Sequence, residues 1–515
     1  MSKHLCLLAL SSAALLLACK PTPRTAVEQH KEAAAPAAEQ PTPQPEALQQ
    51  VGLLEVAVTR QDYNRLRPWE KLNTNNAHSM GVYLGDGRVL TLGSAARAAT
   101  YVELSLPDHS RTAPARVLKY DNELNLALLT VEHPEDAALF DGMPELSVGE
   151  PLALGAKAEV CALVRGQEPV RIDVEAESAD DDDDARLPML DLRAAKPLPQ
   201  GRNSGLPILR DGKLAALVAE YSPRELTLSC INAEFIHRFL NESSGDSVPV
   251  LGLIFAQLDD PIFSKYLKLD PQQGGVYVSK VLPGSAAEAA GVRAGDVLLS
   301  IDDLPLDKLG RAQHPLYGLL GARDIIRSLK PVGQQLTLGI SRDGEVRQLT
   351  LPLNRDAVEK SLLGQEKPGT PPRYIMWGGL LFQPLTETYM DTLRSTAHSL
   401  PLPFLQVKDR AAELQAEGLQ ELVALTLVVP TPATLGYDGL GFCIVEQVNG
   451  HRVTSFARFA ELLDAPTEDG LVELTLNRPP YHIYMDRQAV ESSNDTIRRR
   501  AIPRLRQMGP SATKD

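Results

Sequence analysis

Short apolar runs, each about four to eight residues long, alternate with turn residues from position 51 to about 245, a pattern that predicts β-strands. LLEVAVTR, GVYLGDGRVLTL and LALLTV come first; EPLALG, AEVCALV, LPILRDGKLAALVAEY and ELTLSCI come next, and NAEFIHRFL then reads as an amphipathic helix. Asp86-Gly87 separates two of the runs, a hairpin signal because both residues tolerate positive φ. Many strands with few helices predict an all-β barrel or sandwich. From about 248 the pattern changes. VLGLIF and GGVYVSKVL read as strands, SAAEAAGV as a short helix closed by Gly291, GDVLLSIDD as a strand, RDIIRSL as a helix, and QQLTLGISRDGEVRQLTLPL as a hairpin across Asp343-Gly344. Residues 359–372, with Gly364, Gly369 and three prolines, read as a linker, and a second module of similar type comes after it.

The N-terminus has a different character. Lys3 and His4 precede an apolar run over 5–17 that ends in Leu16-Leu17-Ala18-Cys19. A short apolar run closed by a small residue is a secretion signal and not a spanning helix. The Cys after the small residue resembles the lipobox of bacterial lipoproteins; that resemblance implies cleavage after residue 18, lipid on Cys19 and, with Lys20 next in the chain, placement at the outer membrane. An ordinary signal peptide cleaved nearby is the other reading. Residues 19–50 are rich in Ala, Pro, Glu and Gln and cannot bury enough apolar surface to fold, so they read as a tether.

Bulk composition narrows the classes. The chain has 515 residues, 43% of them apolar, and a net charge of −14. Acidity argues against nucleic acid, whose phosphates need clustered Lys and Arg. Past the N-terminus no apolar stretch is long enough to span a bilayer. Cys161, Cys230 and Cys443 show no metal-ligand spacing; Cys161 and Cys230 fall in one predicted domain and read either as a disulfide or as two small buried side chains. The run Asp180 to Asp184 reads most simply as a solvated loop, with no glycine-containing ligand loop to make it a calcium site. No cofactor is expected.

Four segments resemble the HtrA/Deg serine proteases. DGRVLTLGSAA is similar to the strand that leads into Thr-Asn-Ala-His-Val-Val, YDNELNLALLTVE to the segment ending Asp-Leu-Ala-Leu-Leu, and GRNSGLPILRDGKLAALV to Gly-Asn-Ser-Gly-Gly-Pro with its hairpin. INAEFIHRFL is similar to the closing helix. The order is the chymotrypsin-type order of His, Asp and Ser. The resemblance implies a chymotrypsin-like double β-barrel over 51–245. It also implies that the family's machinery is changed. The His position falls on Ser94 and the Asp position on Asn125, while Ser204 keeps the nucleophile position. In the oxyanion-hole region Arg202 and Asn203 precede it, with Arg202 where a Gly is expected, and Leu206 stands for the second Gly after it. A serine hydroxyl is a weak nucleophile without a base in reach and a third group to orient that base. Ser94 cannot take a proton at pH 7, and Asn125 carries no charge to stabilise an imidazolium.

Nearby residues offer decoys. Thr74-Asn75-Asn76-Ala77-His78 looks like the His motif but lies before the hairpin and not after it, so His78 reads as a strand-end residue. Asp121 sits on the wrong side of its turn to replace Asn125 and reads as turn-forming. His109, His133 and His237 have no motif context.

GGVYVSKVLPGSAAEAAGVRAGDVLLSIDDLPL resembles an HtrA-type PDZ core, which implies a PDZ domain over 246–358. Leu251, Gly252, Leu253 and Ile254 fall where the carboxylate-binding loop begins. RYIMWGGLLFQPLT and GYDGLGFCIVEQVNGHRVTSFARFAELLDA resemble the divergent second PDZ of plant-type Deg proteases, over 373–490 with a tail over 491–515; there the resemblance implies docking within or between subunits. The sequence thus predicts a multidomain protein, a chymotrypsin-like double β-barrel followed by two α+β PDZ-like domains. The functional expectation is an inactive, lipid-anchored envelope scaffold for peptides, protein C-termini or unfolded clients. The family adds the expectation of a homo-oligomer such as a trimer. The alternative is an active periplasmic endopeptidase with a non-standard base.

Overall fold

A computed structural model of the chain describes residues 51–163, 169–180, 187–242, 247–270, 272–500 and 502–509. The expected signal peptide, Cys19 and the tether lie outside the described residues, as do Asp181 to Asp184.

Six strands, β1 (Leu53–Arg60), β2 (Asn75–Gly85), β3 (Arg88–Leu92), β4 (Ala99–Ser105), β5 (Thr112–Asp121) and β6 (Leu126–Val131), close a barrel in the order β1-β2-β3-β6-β5-β4. A short helix, α1 (Gly93–Ala96), comes directly after β3. Asp86 and Gly87 take φ of 51° and 69°, the mirror-image turn whose twist suits a hairpin. Alternation along β1 sends Leu54, Val56 and Val58 into the barrel, where they meet Val102, Leu104 and Leu129. On the other face Met80, Val82, Leu90 and Leu92 belong to the core of a second barrel. That barrel is built from β7 (Lys157–Ala162), β8 (Val170–Asp180), β9 (Met189–Ala194), β10 (Pro207–Arg210), β11 (Lys213–Ser222) and β12 (Thr227–Asn232), closed as β10-β11-β12-β9-β8-β7. Cys161 and Cys230 are buried free thiols here, and burial pushes the Cys161 thiol up to about 11. Helix α2 (Ala233–Asn241), capped by the Asn232 side chain, completes this half.

The first C-terminal module contains β13 (Leu253–Ala256), α3 (Pro261–Tyr266), β14 (Val276–Val281), α4 (Ala286–Ala289), β15 (Val297–Ile301), β16 (Leu304–Pro305), β17 (Arg311–His314), β18 (Gly318–Gly321), α5 (Ala322–Leu329), β19 (Gln335–Arg342), β20 (Glu345–Pro352) and α6 (Asp356–Glu359). Its main sheet runs β13-β14-β15-β19-β20, leaving β13 as an edge strand. The module shares one continuous core with the second barrel. Arg238 of α2 donates to the carbonyls of Arg327 and Ser328 (2.9 and 2.7 Å) and so caps the C-terminus of α5. Tyr317 stacks on Phe235 and donates to Glu234 at 2.6 Å, a seat dry enough to raise both pKa values.

The second module comprises β21 (Tyr374–Trp377), β22 (Leu380–Pro384), α7 (Glu387–Ala397), α8 (Leu402–Asp409), α9 (Ala411–Ala416), β23 (Val423–Val428), β24 (Cys443–Val448), β25 (His451–Arg452), α10 (Phe456–Asp464), β26 (Leu471–Leu476), β27 (His482–Asp486), α11 (Arg487–Arg500) and β28 (Arg506–Gln507). Its sheet order, β28-β21-β22-β23-β24-β26-β27 with β25 beside β24, repeats the first module with β22 in the place of β13. Two strands are added: β21 pairs along the outer edge of β22, and β28 pairs with β21. The chain beyond 490 therefore returns into this sheet. The module is fastened to the first barrel by the loop after β1. There Arg65 pairs with Glu366 at 2.5 Å, Gln383 donates to the Arg65 carbonyl at 3.0 Å, and Trp69 meets Tyr374 edge-on. Lys280 of the first module reaches the Asp409 carbonyl of the second (2.8 Å), and Gln415 of the second donates to the Lys360 carbonyl, just past α6 (2.6 Å).

Candidate functional site

Of the three positions expected to carry the family's chemistry, Ser94 and Asn125 lie together where α1 comes after β3 and the chain enters β6, and Ser204 lies in the loop before β10, bonded to β2. Gly93 opens α1 tightly against β6: a Cβ there would stand 2.9 Å from the Asn125 carbonyl carbon and the Leu126 nitrogen. Asn125 has φ of 54°, a left-handed conformation that Asn tolerates better than most residues. Its backbone oxygen accepts from Gly93 N–H (2.8 Å) and its side-chain oxygen from Ser94 N–H (2.6 Å). Positions 94 and 125 are thus brought together, but through the Ser94 backbone. The amide satisfies a helix N–H that would otherwise have no partner. The Ser94 carbonyl accepts from Arg60 at 2.9 Å, and its side chain is exposed.

Ser204 is half-buried in a turn pinned from both sides. Its carbonyl accepts from Met80 N–H (2.8 Å) and from the Ser79 hydroxyl (3.2 Å). Thr91 supports this cluster, with its hydroxyl 2.8 Å from the Met80 carbonyl and 3.2 Å from the Ser79 hydroxyl. Gly205, at φ of 83°, donates to the Val218 carbonyl (2.7 Å), and a Cβ on it would stand 2.2 Å from the Met80 carbonyl. The glycine after the nucleophile position is what lets the loop press against β2.

Among the described residues no imidazole is hydrogen-bonded to the Ser204 hydroxyl. His78 precedes Ser79 on β2; since neighbours on a strand face opposite sides and Ser79 points at Ser204, His78 points away and is exposed. His237 contacts the Gly149 carbonyl at 2.8 Å, and His133 is exposed before a short 3₁₀ turn. Asp121 is buried: one oxygen accepts from Glu123 and Leu124 N–H (2.8 and 2.9 Å), the other from the Ser247 hydroxyl (3.1 Å). It shapes its own turn and holds the chain entering the first module.

The Arg202 guanidinium forms an ion pair with Glu55 of β1, crossing from the Ser204 loop to the first barrel. The same Glu55 oxygen lies 3.7 Å from Nε2 of His109. Together with Met80, Pro107, Leu163, Gln200 and Gly201 these residues line a cavity of about 320 Å³. Asn203 sits half-buried beside it. Sequence reasoning missed Glu55, Ser79 and Thr91, which lie on strands with no motif. Among the described residues, no cluster of His, Cys, Asp or Glu suits a metal ion.

On the first module Leu251 is buried and its carbonyl accepts from Ala287 N–H (3.3 Å), while the Gly252 carbonyl accepts from Leu282 N–H (2.8 Å). Gly252 has φ of 76°, and a Cβ on it would stand 2.4 Å from that of Ser285, so only glycine fits this loop. Leu253 and Ile254 then begin β13, the free edge of the sheet. In the second module the matching turn is closed off. Gly378 N–H donates to the Asn494 side chain of α11 at 2.8 Å, and β21 covers β22.

The PDZ domain family matches residues 249–353 and again 364–506. Among curated proteins, the chain is similar to Protease Do-like 2, chloroplastic, of Arabidopsis thaliana. The two are 25% identical over 430 residues, which cover 80% of this chain and 67% of the relative. Protease Do-like 4, mitochondrial, of the same plant is 22% identical over 79% of this chain and 76% of its own length. Periplasmic serine endoprotease DegP of Escherichia coli (strain K12) is 35% identical over 107 residues, 21% of this chain and 20% of the relative. A solved structure of the HtrA-type protease AlgW with decapeptide aligns with a TM-score of 0.41 at 17% identity, covering 59% of this chain and 95% of that one. With two closed barrels, two PDZ domains and relatives of this length, the chain belongs to the HtrA/Deg type of serine proteases and is homologous to the plant Deg proteases.

Proposed function

We propose that this protein is a catalytically inactive HtrA/Deg-like pseudoprotease that serves the cell envelope as a scaffold or regulator, binding peptides and protein C-termini. The surroundings of Ser204 carry this reading. Among the described residues its hydroxyl has no imidazole partner, the Asn125 amide is committed to the Ser94 backbone, and Arg202 bridges the cleft to Glu55. A hydroxyl with no base in reach is not activated. The first PDZ domain, PDZ1, supports the binding half of the proposal. Its free edge strand can accept an extended peptide as a further strand, and the loop at Leu251 and Gly252 can present N–H groups to a terminal carboxylate. PDZ domains and HtrA homologues also point to assembly, with a trimer the form carried over from the family. An envelope location agrees with the periplasmic name of DegP and with the chloroplastic and mitochondrial names of the plant relatives. Lipid on Cys19 and the tether over 19–50 would hold the protein at the periplasmic side of the outer membrane.

The purified protein should not cleave casein, and an organophosphonate should not label it. Stable labelling that disappears in Ser204→Ala would overturn the proposal. A second reading, an active periplasmic endopeptidase with a non-standard base, draws on the His109–Glu55 contact in the same cavity as Arg202. Labelling lost equally in Ser204→Ala and His109→Ala would favour it.

A further inference from the structure

The capture edge on PDZ1 is short. β13 has four residues, and at about 3.3 Å per residue it spans roughly 13 Å. The carboxylate-binding loop lies at its N-terminal end, so a ligand whose C-terminus sits there runs antiparallel to β13. Residues upstream of the terminal four then pass Ala256 and reach α3, the next helix of the chain.

This six-residue helix is capped by Asp260, whose side chain accepts from Ile262 N–H at 2.8 Å. Phe263 packs edge-on against Tyr277, ring centroids 5.0 Å apart, and Tyr277 is the register partner of Ala256. This contact holds α3 at the far end of the capture strand. One turn apart on α3, Ile262 and Tyr266 are each 79% exposed, and Ile254 of β13 itself is 46% exposed. Large apolar side chains grouped beside an open strand edge are the surface expected of a docking site. Exposed Asp259 and Asp260 before the pair are matched by exposed Lys265 and Lys268 beside it, so the patch carries no net charge to favour an anionic lipid surface and suits an uncharged apolar segment.

We propose that Ile262 and Tyr266, with Ile254, form the far half of the PDZ1 peptide site. They select polypeptide C-terminal tails that carry apolar or aromatic side chains upstream of the last four residues. This inference rests on the proposed capture of C-termini at β13.

Three labelled free-acid peptides test it against the full chain by fluorescence anisotropy: an apolar tetrapeptide, the same four residues preceded by five apolar and aromatic residues, and the same four preceded by five Ser and Glu residues. The apolar nonapeptide should bind about tenfold tighter than the other two, the loss expected when one or two partly buried side chains go without a partner. Ile262→Ser with Tyr266→Ser should erase that advantage and leave tetrapeptide affinity unchanged. Both positions are exposed, so thermal melting should not move. Equal binding of all three peptides, or an advantage that survives the double substitution, overturns the inference while leaving capture at β13 standing. No binding by any peptide sinks the capture reading and this inference with it. A double variant that sediments at a lower mass than the parent also overturns it, because the pair would then face a second copy of the chain.

Discussion

At position 125 the fold needs an oxygen to accept the Ser94 N–H, and an amide or a carboxylate supplies one. Asn125→Asp should therefore change stability by less than about 1 kcal/mol in a thermal melt, with any gain coming from a negative charge near a helix N-terminus. Ser94→His with Asn125→Asp should still leave casein intact, because Arg202 remains tied to Glu55 beside the nucleophile; adding Arg202→Gly should be required for any cleavage. Cleavage by the double variant alone would show that the Arg202 loop already presents its N–H groups. His314 makes a separate prediction. Burial lowers its pKa from 6.5 to about 4, so between those values the unfolded chain binds a proton that the folded chain does not. Stability is thus fully present above about pH 6.5 and is lost as pH falls toward 4, by up to about 3 kcal/mol. His314→Leu should flatten that acid slope in calorimetry, while costing stability at neutral pH because Leu316 N–H loses its acceptor at 3.1 Å. Ser94, Asn125 and Ser204 stand out in the sequence because they sit in ordered motifs, and the structure brings the first two together. The partner of Arg202 was not, since Glu55 reaches it only after two barrels have closed and met.

Among elements, the contrast between β13 and β22 sets how many sites the proposed peptide capture would have on one chain. Both come after a glycine turn and both pair inward with the next strand, yet only β13 keeps a free edge. Calorimetric titration with a hydrophobic C-terminal peptide should give one site per chain, and Gly252→Ala should abolish it. Asn494→Ala should leave that site intact and destabilise the second module by about 1–2 kcal/mol, the cost of a Gly378 N–H without its partner. Two sites per chain would mean that β21 peels away from β22. The hairpins at Asp86-Gly87 and Asp343-Gly344 were readable because each turn takes positive φ at both residues, an aspartate followed by glycine. β28 was not readable: a two-residue strand has no periodicity, and its partner lies more than a hundred positions earlier.

Across the whole molecule, PDZ1 is fixed to both barrels, its Arg355 pairing with Glu123 of the first, and, among the described residues, the second PDZ domain to the first alone. PDZ1 continues the core of the second barrel, whereas the second PDZ domain, PDZ2, is held on the first by the loop around Arg65 and Trp69. The Arg65 side chain is only 7% exposed, and Arg65→Ala would leave the half-buried Glu366 without its hydrogen-bonded partner. A loss of about 1–2 kcal/mol is expected at that seam, read as faster proteolysis within 364–372 with unchanged peptide affinity at PDZ1. Fold class was visible in the sequence because strand patterning carries it; these seams were not, because single side chains between distant segments leave no pattern.

The Lys280 contact with the Asp409 carbonyl, small as it is, closes a circuit. Barrel touches barrel, the second barrel grips PDZ1, PDZ1 meets PDZ2, and PDZ2 returns to the first barrel. In such a ring no member can swing on a single hinge. Any rotation must break two joints at once, so a pull on PDZ1 loads all four bodies together.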